Sequence, residues 1–223
     1  MFFRILVISM VYLSVTNAQQ SKLKLGVFYE TLCPDSKNFI VKQLWPAYNS
    51  FGSHFDIDLV PFGNANYTSS NGKLNFTCEH GPPECAANMM QACAKDVMPN
   101  FDEFFKLVHC MEKDPEPHET SYQMKRKVTE PGHKENFLSQ YSCQCGQSKN
   151  ISLTEVNRCL GDGRGDQQLK KMGDLTKALN PKATSIPWLT LNGAYDSAFQ
   201  TEALVDLKSA LCKKFQGTKP TGC

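Results

Sequence analysis

Ten cysteines constrain this 223-residue chain more than any other feature of its sequence. All ten lie in the stretch from Cys33 to Cys223, and none lies in the apolar N-terminal segment. Disulfides form and persist in oxidising compartments, whereas the cytosol keeps thiols reduced. We therefore expect an exported protein in which most cysteines are paired. The candidates for structural disulfides are Cys78, Cys85, Cys93, Cys110, Cys143, Cys145, Cys159, Cys212 and Cys223.

The N-terminal residues have the pattern of a secretory signal peptide. Arg4 gives a short basic start, residues 5–15 are mostly apolar, and Thr16-Asn17-Ala18 supplies a small-residue cleavage site. The apolar run is too short to span a membrane. We predict a signal peptide at 1–18 and one domain at 19–223, without a membrane anchor. The formal net charge of +2 favours neither nucleic acid nor an anionic membrane as a partner.

Apolar spacings predict a β-α-β unit at the start of the mature chain. Residues 22–30 carry apolar side chains at alternate positions, which is typical of a strand. A helix is predicted from Pro34 onward, because apolar residues recur at i, i+4 and i+7 from Val41 to Tyr48. Alternation resumes at residues 55–59 and predicts a second strand. Sequential strands joined by one helix are normally parallel, so this opening favours an α/β sheet.

The C-terminal part predicts a β-β-α unit. A short apolar strand at 188–191 follows Ile186-Pro187, and Asn192-Gly193 is a pair that type I′ hairpin turns prefer. A further strand near Tyr195 is expected to pair back against the first. The chain should then end in a single helix whose apolar stripe consists of Leu204, Leu207 and Leu211.

The intervening residues, from about 78 to 180, are expected to form a cysteine-rich helical insertion. One helix is predicted at 84–98 and another at 100–111, the second beginning with an Asn-x-x-Glu cap. Ser152-Leu153-Thr154-Glu155 has the pattern of a further capping box. Residues 114–135 contain three prolines and few apolar groups, which predicts an exposed loop.

Cys33 is the cysteine best placed for chemistry. It comes directly after the first predicted strand and at the start of the first predicted helix. Unpaired backbone N–H groups and the positive end of a helix dipole stabilise a thiolate at such a position, whereas the negative charge of Asp35 opposes it. The alternative is that Cys33 belongs to an ordinary structural disulfide.

Pro187 is the second candidate site residue. A cis-proline loop beside a reactive thiol leaves a backbone edge free to pair with an extended substrate. Ile186-Pro187 directly precedes a predicted strand and would form such a loop. A plain trans turn is the alternative, because proline before a strand is common.

One segment resembles the signature of the GILT family, the gamma-interferon-inducible lysosomal thiol reductases: Cys78-Glu79-His80-Gly81-Pro82-Pro83-Glu84-Cys85-Ala86-Ala87-Asn88, with Cys93 following four residues later. The family signature normally has glutamine where Glu79 stands. Further similarity extends the resemblance over nearly the whole mature chain, at residues 60–65, 109–112, 161–165, 187–193 and 216–223.

The resemblance implies an α/β, thioredoxin-like fold of the order β-α-β, helical insertion, β-β-α. It also implies a protein that reduces the disulfides of other proteins in an acidic endosome or lysosome, or after secretion. The family's reactive Cys-x-x-Cys pair corresponds to Cys33-Pro34-Asp35-Ser36 in this chain. Cys33 would then be the nucleophile, Ser36 stands in place of the resolving cysteine, and Pro187 would shape the substrate-binding edge.

The sequence alone is compatible with two functions. A thiol-disulfide oxidoreductase with one active-site thiol needs a second thiol to release its mixed disulfide. Cys33 would therefore need a small thiol, such as cysteine or glutathione, as co-reductant, and no other cofactor is predicted. The alternative is a secreted binding protein that keeps the fold and captures partners non-covalently or as mixed disulfides. The family motifs around Cys33 favour the enzyme, and Ser36 favours the binding protein.

Cysteine parity makes one further prediction. If Cys33 is free, an odd number of cysteines remains, so another must be free, bound to a small thiol, or linked to another chain in a disulfide-linked dimer. The candidates are Cys143, Cys145 and Cys223.

The remaining motifs concern metals and glycans. The group Cys78, His80, Cys85 and Cys93 matches no usual zinc spacing, and exported thiols tend to oxidise, so no metal is predicted. Three acceptor sequons would place their loops on the surface of a glycoprotein, at Asn66, Asn75 and Asn150.

Overall fold

A computed structural model of the protein describes residues 22–113, 145–146, 149–216 and 219–223. The signal peptide predicted at 1–18 and the loop predicted at 114–135 lie outside the described residues. The strands are β1 (Leu23–Tyr29), β2 (Phe55–Pro61), β3 (Asn66–Ser70), β4 (Lys73–Thr77) and β5 (Trp188–Leu191). The helices are α1 (Pro34–Phe39), α2 (Trp45–Phe51), α3 (Pro82–Val97), α4 (Phe101–Lys113), α5 (Thr154–Gly161), α6 (Arg164–Lys177), α7 (Ser197–Val205) and α8 (Leu207–Lys214).

The larger sheet has three strands in the order β2-β1-β5. β1 and β2 run parallel over their full lengths, which confirms the predicted β-α-β opening. β5 is antiparallel to β1, and its first residue, Trp188, pairs with Phe28. Residues 25–29 of β1 are all buried, as expected for a central strand that is covered on both faces. This register places the C-terminal end of β1 and the start of β5 at the same end of the sheet.

The first helical segment is one continuous body with a π-helical turn in its middle. The turn spans Ile40–Leu44 and joins α1 to α2. The Trp45 N–H donates to the Ile40 carbonyl, five residues back. Pro46 follows, and because proline has no N–H to donate, the regular hydrogen-bond ladder cannot continue unchanged through this point. The prediction of a helix from Pro34 is correct, but its apolar spacing did not indicate the π-helical turn.

The second strand expected near Tyr195 is wrong in the described structure. Asn192 and Gly193 have φ angles of 53° and 80°, as a type I′ turn requires, but only an isolated bridge between Leu191 and Ala194 follows. The chain leaves the sheet because α7 begins here. The Asp196 carboxylate accepts hydrogen bonds from the N–H groups of Ala198 and Phe199 in its first turn.

The single closing helix is also wrong, since it is broken at Asp206 into α7 and α8. The Asp206 side chain accepts a hydrogen bond from the Ser209 N–H and so begins α8. Leu207 is fully buried, whereas Leu204 is 37% exposed and does not share its stripe. Local capping by an acidic side chain thus outweighs the apolar spacing that predicted one helix.

The helical region follows the predicted pattern at one capping motif and departs from it at the other. The Asn100 side chain accepts from the Asp102 N–H at 2.9 Å, so the predicted cap of α4 is confirmed. The capping box predicted at Ser152 is wrong: α5 begins at Thr154, and the Ser152 hydroxyl donates to the Thr154 hydroxyl at 3.4 Å.

Eight cysteines form four disulfides: Cys78–Cys85, Cys93–Cys159, Cys110–Cys145 and Cys212–Cys223. Two candidates for the unpaired cysteine, Cys145 and Cys223, are therefore paired. The third, Cys143, lies outside the described residues. Cys33 is free among the described cysteines. Because Cys78, Cys85 and Cys93 are oxidised, the metal-ligand group considered on the sequence does not exist as such.

Candidate functional site

Cys33 lies at the point where β1 ends and α1 begins. It is the N-cap residue of α1, with an extended backbone, and its carbonyl accepts a hydrogen bond from the Lys37 N–H at 3.0 Å. Pro34 occupies the first turn, where its missing N–H costs no hydrogen bond. The Cys33 side chain is free and partly exposed. A free, partly exposed thiol at this position can attack a disulfide of another molecule.

Ser36 lies one helical turn after Cys33 and is fully buried. Its hydroxyl oxygen accepts a hydrogen bond from the Glu30 N–H at 3.3 Å. The serine therefore links the first turn of α1 to the end of β1. A serine oxygen cannot form a disulfide, so this position supplies no second sulfur to Cys33.

Pro187 lies at the same end of the sheet as Cys33, immediately before β5. The Ile186–Pro187 peptide bond is cis. Gln200, on α7, contacts this segment twice: its side-chain N–H donates to the Pro187 carbonyl at 2.9 Å, and its side-chain oxygen accepts from the Leu189 N–H at 2.8 Å. The sequence reasoning missed Gln200, because its partners are recognisable only once α7 is placed beside β5.

A buried polar stripe on α3 fixes the turn that leads to Cys33. Glu84, Asn88 and Gln91 follow one another at i, i+4 and i+7, and all three are fully buried. The Thr31 N–H donates to the Asn88 side chain at 3.1 Å, and the Tyr29 hydroxyl donates to the Gln91 side chain. The sequence signal for this stripe is the spacing of three polar residues in a region of small and apolar side chains.

Glu112, on α4, extends this stripe into the interior. It is almost fully buried, and its Oε1 accepts a hydrogen bond from the Gln91 side chain at 2.7 Å. Burial raises the pKa of Glu112 to about 8; the Gln91 hydrogen bond and the positive charge of Lys37 oppose this shift. A protonated carboxyl is thus favoured at neutral pH, which agrees with an Oε2 atom that has no hydrogen-bond partner in the described structure.

Glu30 is a second buried acid, three residues before Cys33. Its Oε1 accepts a hydrogen bond from the Asn64 N–H. Burial and the negative charge of Glu84 together raise the pKa of Glu30 to about 7, against the opposing effect of the Asn64 N–H hydrogen bond. Gly63 has a φ angle of +56°, and a Cβ atom there would collide with the Glu30 side chain. Glycine at position 63 is therefore what allows this acid to lie against the backbone.

The buried position of Glu112 makes the folding stability depend on pH. The unfolded glutamate has its ordinary pKa of 4.5, whereas the folded value is about 8. Between these values the folded state holds a proton that the unfolded chain has lost, so the free energy of unfolding increases as the pH falls from 8. One such proton contributes at most about 1.4 kcal/mol per pH unit.

We expect the urea midpoint of unfolding to rise as the pH falls from about 8 to 6.5, and Glu112→Gln to remove much of this rise, because an amide does not titrate. The window ends there because burial lowers the pKa of His109 from 6.5 to about 4, which opposes the trend at lower pH. Exposed Glu155, on α5, provides the control Glu155→Gln, which should keep the wild-type slope. If the urea midpoint changes equally with pH in wild type and Glu112→Gln, Glu112 is not the group that takes up the proton.

The three sequon asparagines are all exposed, as glycosylation would require. Asn66 and Asn75 lie on the paired strands β3 and β4 rather than in loops, which corrects the expected loop placement. Asn150 lies in a turn. Among the helices that the structure describes, none combines the length and apolar character needed to cross a bilayer.

Comparison with known proteins shows what this chain is similar to in sequence. Residues 24–131 match the family model for gamma interferon inducible lysosomal thiol reductase (GILT). The chain is 30% identical over 233 residues to a gamma-interferon-inducible lysosomal thiol reductase-like protein of Anopheles gambiae, covering 100% of this chain and 88% of that protein. It is 29% identical over 202 residues to the gamma-interferon-inducible lysosomal thiol reductase of Mus musculus, covering 90% of this chain and 71% of that protein.

The structural comparison supports the fold. The crystal structure of Chlamydia trachomatis DsbA superposes with a TM-score of 0.55 at 11% identity, covering 88% of this chain and 89% of that chain. The predicted α/β, thioredoxin-like fold is confirmed. Together with the matches in sequence, these findings show that the chain belongs to the gamma-interferon-inducible lysosomal thiol reductase (GILT) family.

Proposed function

We propose that this chain is a monothiol disulfide oxidoreductase, in which Cys33 attacks the disulfides of protein substrates. The observation that carries this proposal is a free, partly exposed cysteine at the start of α1. The turn before it is held to α3 by the hydrogen bond from the Thr31 N–H to the Asn88 side chain. Family membership supports the general chemistry. The replacement of the usual resolving cysteine by buried Ser36 determines how the reaction must finish.

The proposed reaction has three exchanges. The Cys33 thiolate attacks one sulfur of the substrate disulfide, forming a mixed disulfide and releasing the other substrate sulfur as a thiolate. A small thiolate then attacks this mixed disulfide. When it attacks the substrate sulfur, Cys33 leaves as a thiolate and a disulfide between substrate and small thiol remains. A second small thiolate attacks the small-thiol sulfur of that disulfide and releases the substrate thiol. In sum, one substrate disulfide and two small thiols give two substrate thiols and one small-molecule disulfide.

The backbone next to Pro187 is the proposed substrate-binding edge. Pro187 lies at the same end of the sheet as Cys33, as the register of β5 on β1 requires. Gln200 occupies the hydrogen-bonding groups of Pro187 and Leu189. We therefore assign the edge to the residues that precede Pro187. An extended peptide would pair there through its main chain.

An acidic endosomal or lysosomal lumen, or the extracellular space, is the proposed location. The four disulfides fit an oxidising compartment. The raised pKa values of Glu30 and Glu112 mean that these buried acids are more readily accommodated when the pH is low. The disulfides thus support an oxidising compartment, and the two buried acids support a fold that tolerates a moderately low pH.

The rate of substrate reduction as a function of small-thiol concentration tests the proposal. With a fluorogenic protein disulfide at pH 5, we expect no sustained turnover without cysteine or glutathione, and a rate that rises with their concentration. A rate that equals that of the small thiol alone at every concentration would contradict the proposal.

Ser36 also supports a second candidate function, that of a protein that captures partners as stable mixed disulfides. In that case the adduct between Cys33 and its partner would persist in the presence of cysteine at the concentrations that support turnover in the enzyme. Non-reducing mass measurements of the adduct over time distinguish the two functions, because an enzyme releases it and a capture protein keeps it.

A further inference from the structure

Three side chains that the redox proposal does not use converge beside the end of β1. Glu30 comes from β1, His80 from the loop closed by the Cys78–Cys85 disulfide, and Glu84 from the first turn of α3. Their ligand atoms all lie within 4.8 Å of one another. His80 Nδ1 lies 2.5 Å from Glu84 Oε2 and 3.7 Å from Glu30 Oε2.

Backbone hydrogen bonds orient both carboxylates toward this point. Glu30 Oε1 accepts from the Asn64 N–H, and Glu84 Oε1 accepts from the His80 N–H at 3.3 Å. The Oε2 atom of each carboxylate is thereby left to face His80 Nδ1. Glu30 Oε2 is buried and has no hydrogen-bond partner among the described residues, and the Glu30 side chain is only 1% exposed. A buried oxygen without a hydrogen-bond partner among the described residues is rare, and an ion bound there would be such a partner.

The charge of the cluster indicates what that partner is. Glu30 and Glu84 are both buried, and among the described residues His80 supplies the ion-pairing nitrogen to each. Glu79 adds a third carboxylate nearby, since its Oε2 accepts from the Asn64 side chain at 2.7 Å, and its negative charge raises the pKa of Glu30. The acidic side chains of the cluster therefore outnumber its one imidazole.

We propose that Glu30, His80 and Glu84 bind a divalent transition-metal ion such as Zn²⁺. One imidazole nitrogen and two carboxylate oxygens form a donor set that zinc sites use, and an external ligand would complete the coordination. The ion would replace the hydrogen bond between His80 and Glu84. Of the group considered on the sequence, only His80 carries over, because the three cysteines are in disulfides. This inference does not depend on the proposed redox function.

Protons compete with a metal ion for imidazole and carboxylate ligand atoms, so Zn²⁺ binding is best tested at about pH 7.5, where this competition is weak.

Titration of the full mature chain with Zn²⁺ by calorimetry tests the proposal. The chain should carry Cys33→Ser, because a free thiolate also binds zinc. We expect one ion per chain at pH 7.5, and a loss of at least about tenfold in affinity for Glu30→Gln, His80→Ala and Glu84→Gln individually. The matched control is His54→Ala, which changes an exposed histidine and should bind like the parent.

Two results would overturn the site. One is the absence of Zn²⁺ binding at pH 7.5 up to millimolar concentration by the folded parent. The other is binding that all three cluster variants leave unchanged, because the ion would then lie elsewhere. A circular dichroism spectrum identifies any variant that fails to fold, and the number of Zn²⁺ ions bound per chain by the folded parent still tests the proposal in that case. Since Cys33 is absent throughout, failure of the redox proposal leaves these outcomes unaffected.

Discussion

Replacement of Cys33 by serine is expected to reduce disulfide exchange to the uncatalysed rate of the small thiol alone. The substitution exchanges one atom, but a serine hydroxyl is not ionised in acid and cannot form a mixed disulfide. The measurement is the initial rate of reduction of a fluorogenic protein disulfide at pH 5 with cysteine present. Wild type should exceed the background, and Cys33→Ser should equal it.

The control for this experiment is the stability of the variant. Cys33 is in no disulfide and is partly exposed, so Cys33→Ser should unfold in urea at nearly the wild-type midpoint. A folded Cys33→Ser protein that reduces the substrate as fast as wild type would refute the assignment of the nucleophile.

Introduction of a second thiol by Ser36→Cys is expected to change the stoichiometry of the reaction. Without small thiols, wild type should release one substrate thiol per chain and retain the other half as a covalent adduct. In Ser36→Cys the introduced thiol lies one helical turn from Cys33, at the spacing of a Cys-x-x-Cys pair. It can attack the mixed disulfide, so the variant should release two substrate thiols per chain and retain no adduct.

The comparison depends on the buried contact made by Ser36. Its hydroxyl accepts from the Glu30 N–H, and loss of that bond should cost on the order of 1 kcal/mol in folding stability. The matched control, Ser36→Ala, loses the same bond but gains no thiol, so it should form the adduct as wild type does. Release of two thiols per chain by Ser36→Ala or wild type would show that another cysteine already resolves the intermediate.

The parts of this fold that could be predicted are those that depend on local spacing. The alternation in β1 and the helical spacing after Pro34 are properties of neighbouring residues, and they correctly place Cys33 between a strand and a helix. The failures have local causes of another kind. Asp196 and Asp206 begin helices by accepting backbone hydrogen bonds, and these caps outweighed the apolar pattern that predicted a strand and one unbroken helix.

The polar surroundings of Cys33 could not be predicted, because each contact joins residues that are far apart in sequence. Asn88 receives a hydrogen bond from Thr31, 57 residues before it. Glu30 and Glu112 look like ordinary surface acids in the sequence, and only burial against other elements raises their pKa values. The family signature identified the segment that contains Glu84 and Asn88, but not what these side chains contact.

The central claim is that Cys33 is a free, accessible thiol where α1 begins. The most direct test is alkylation of the unreduced mature protein with a maleimide at mildly acidic pH, followed by peptide mapping. We expect the peptide containing Cys33 to carry the label, or a small thiol that mild reductant removes before labelling. Recovery of Cys33 in a disulfide with another cysteine of the same chain, resistant to mild reductant, would contradict it.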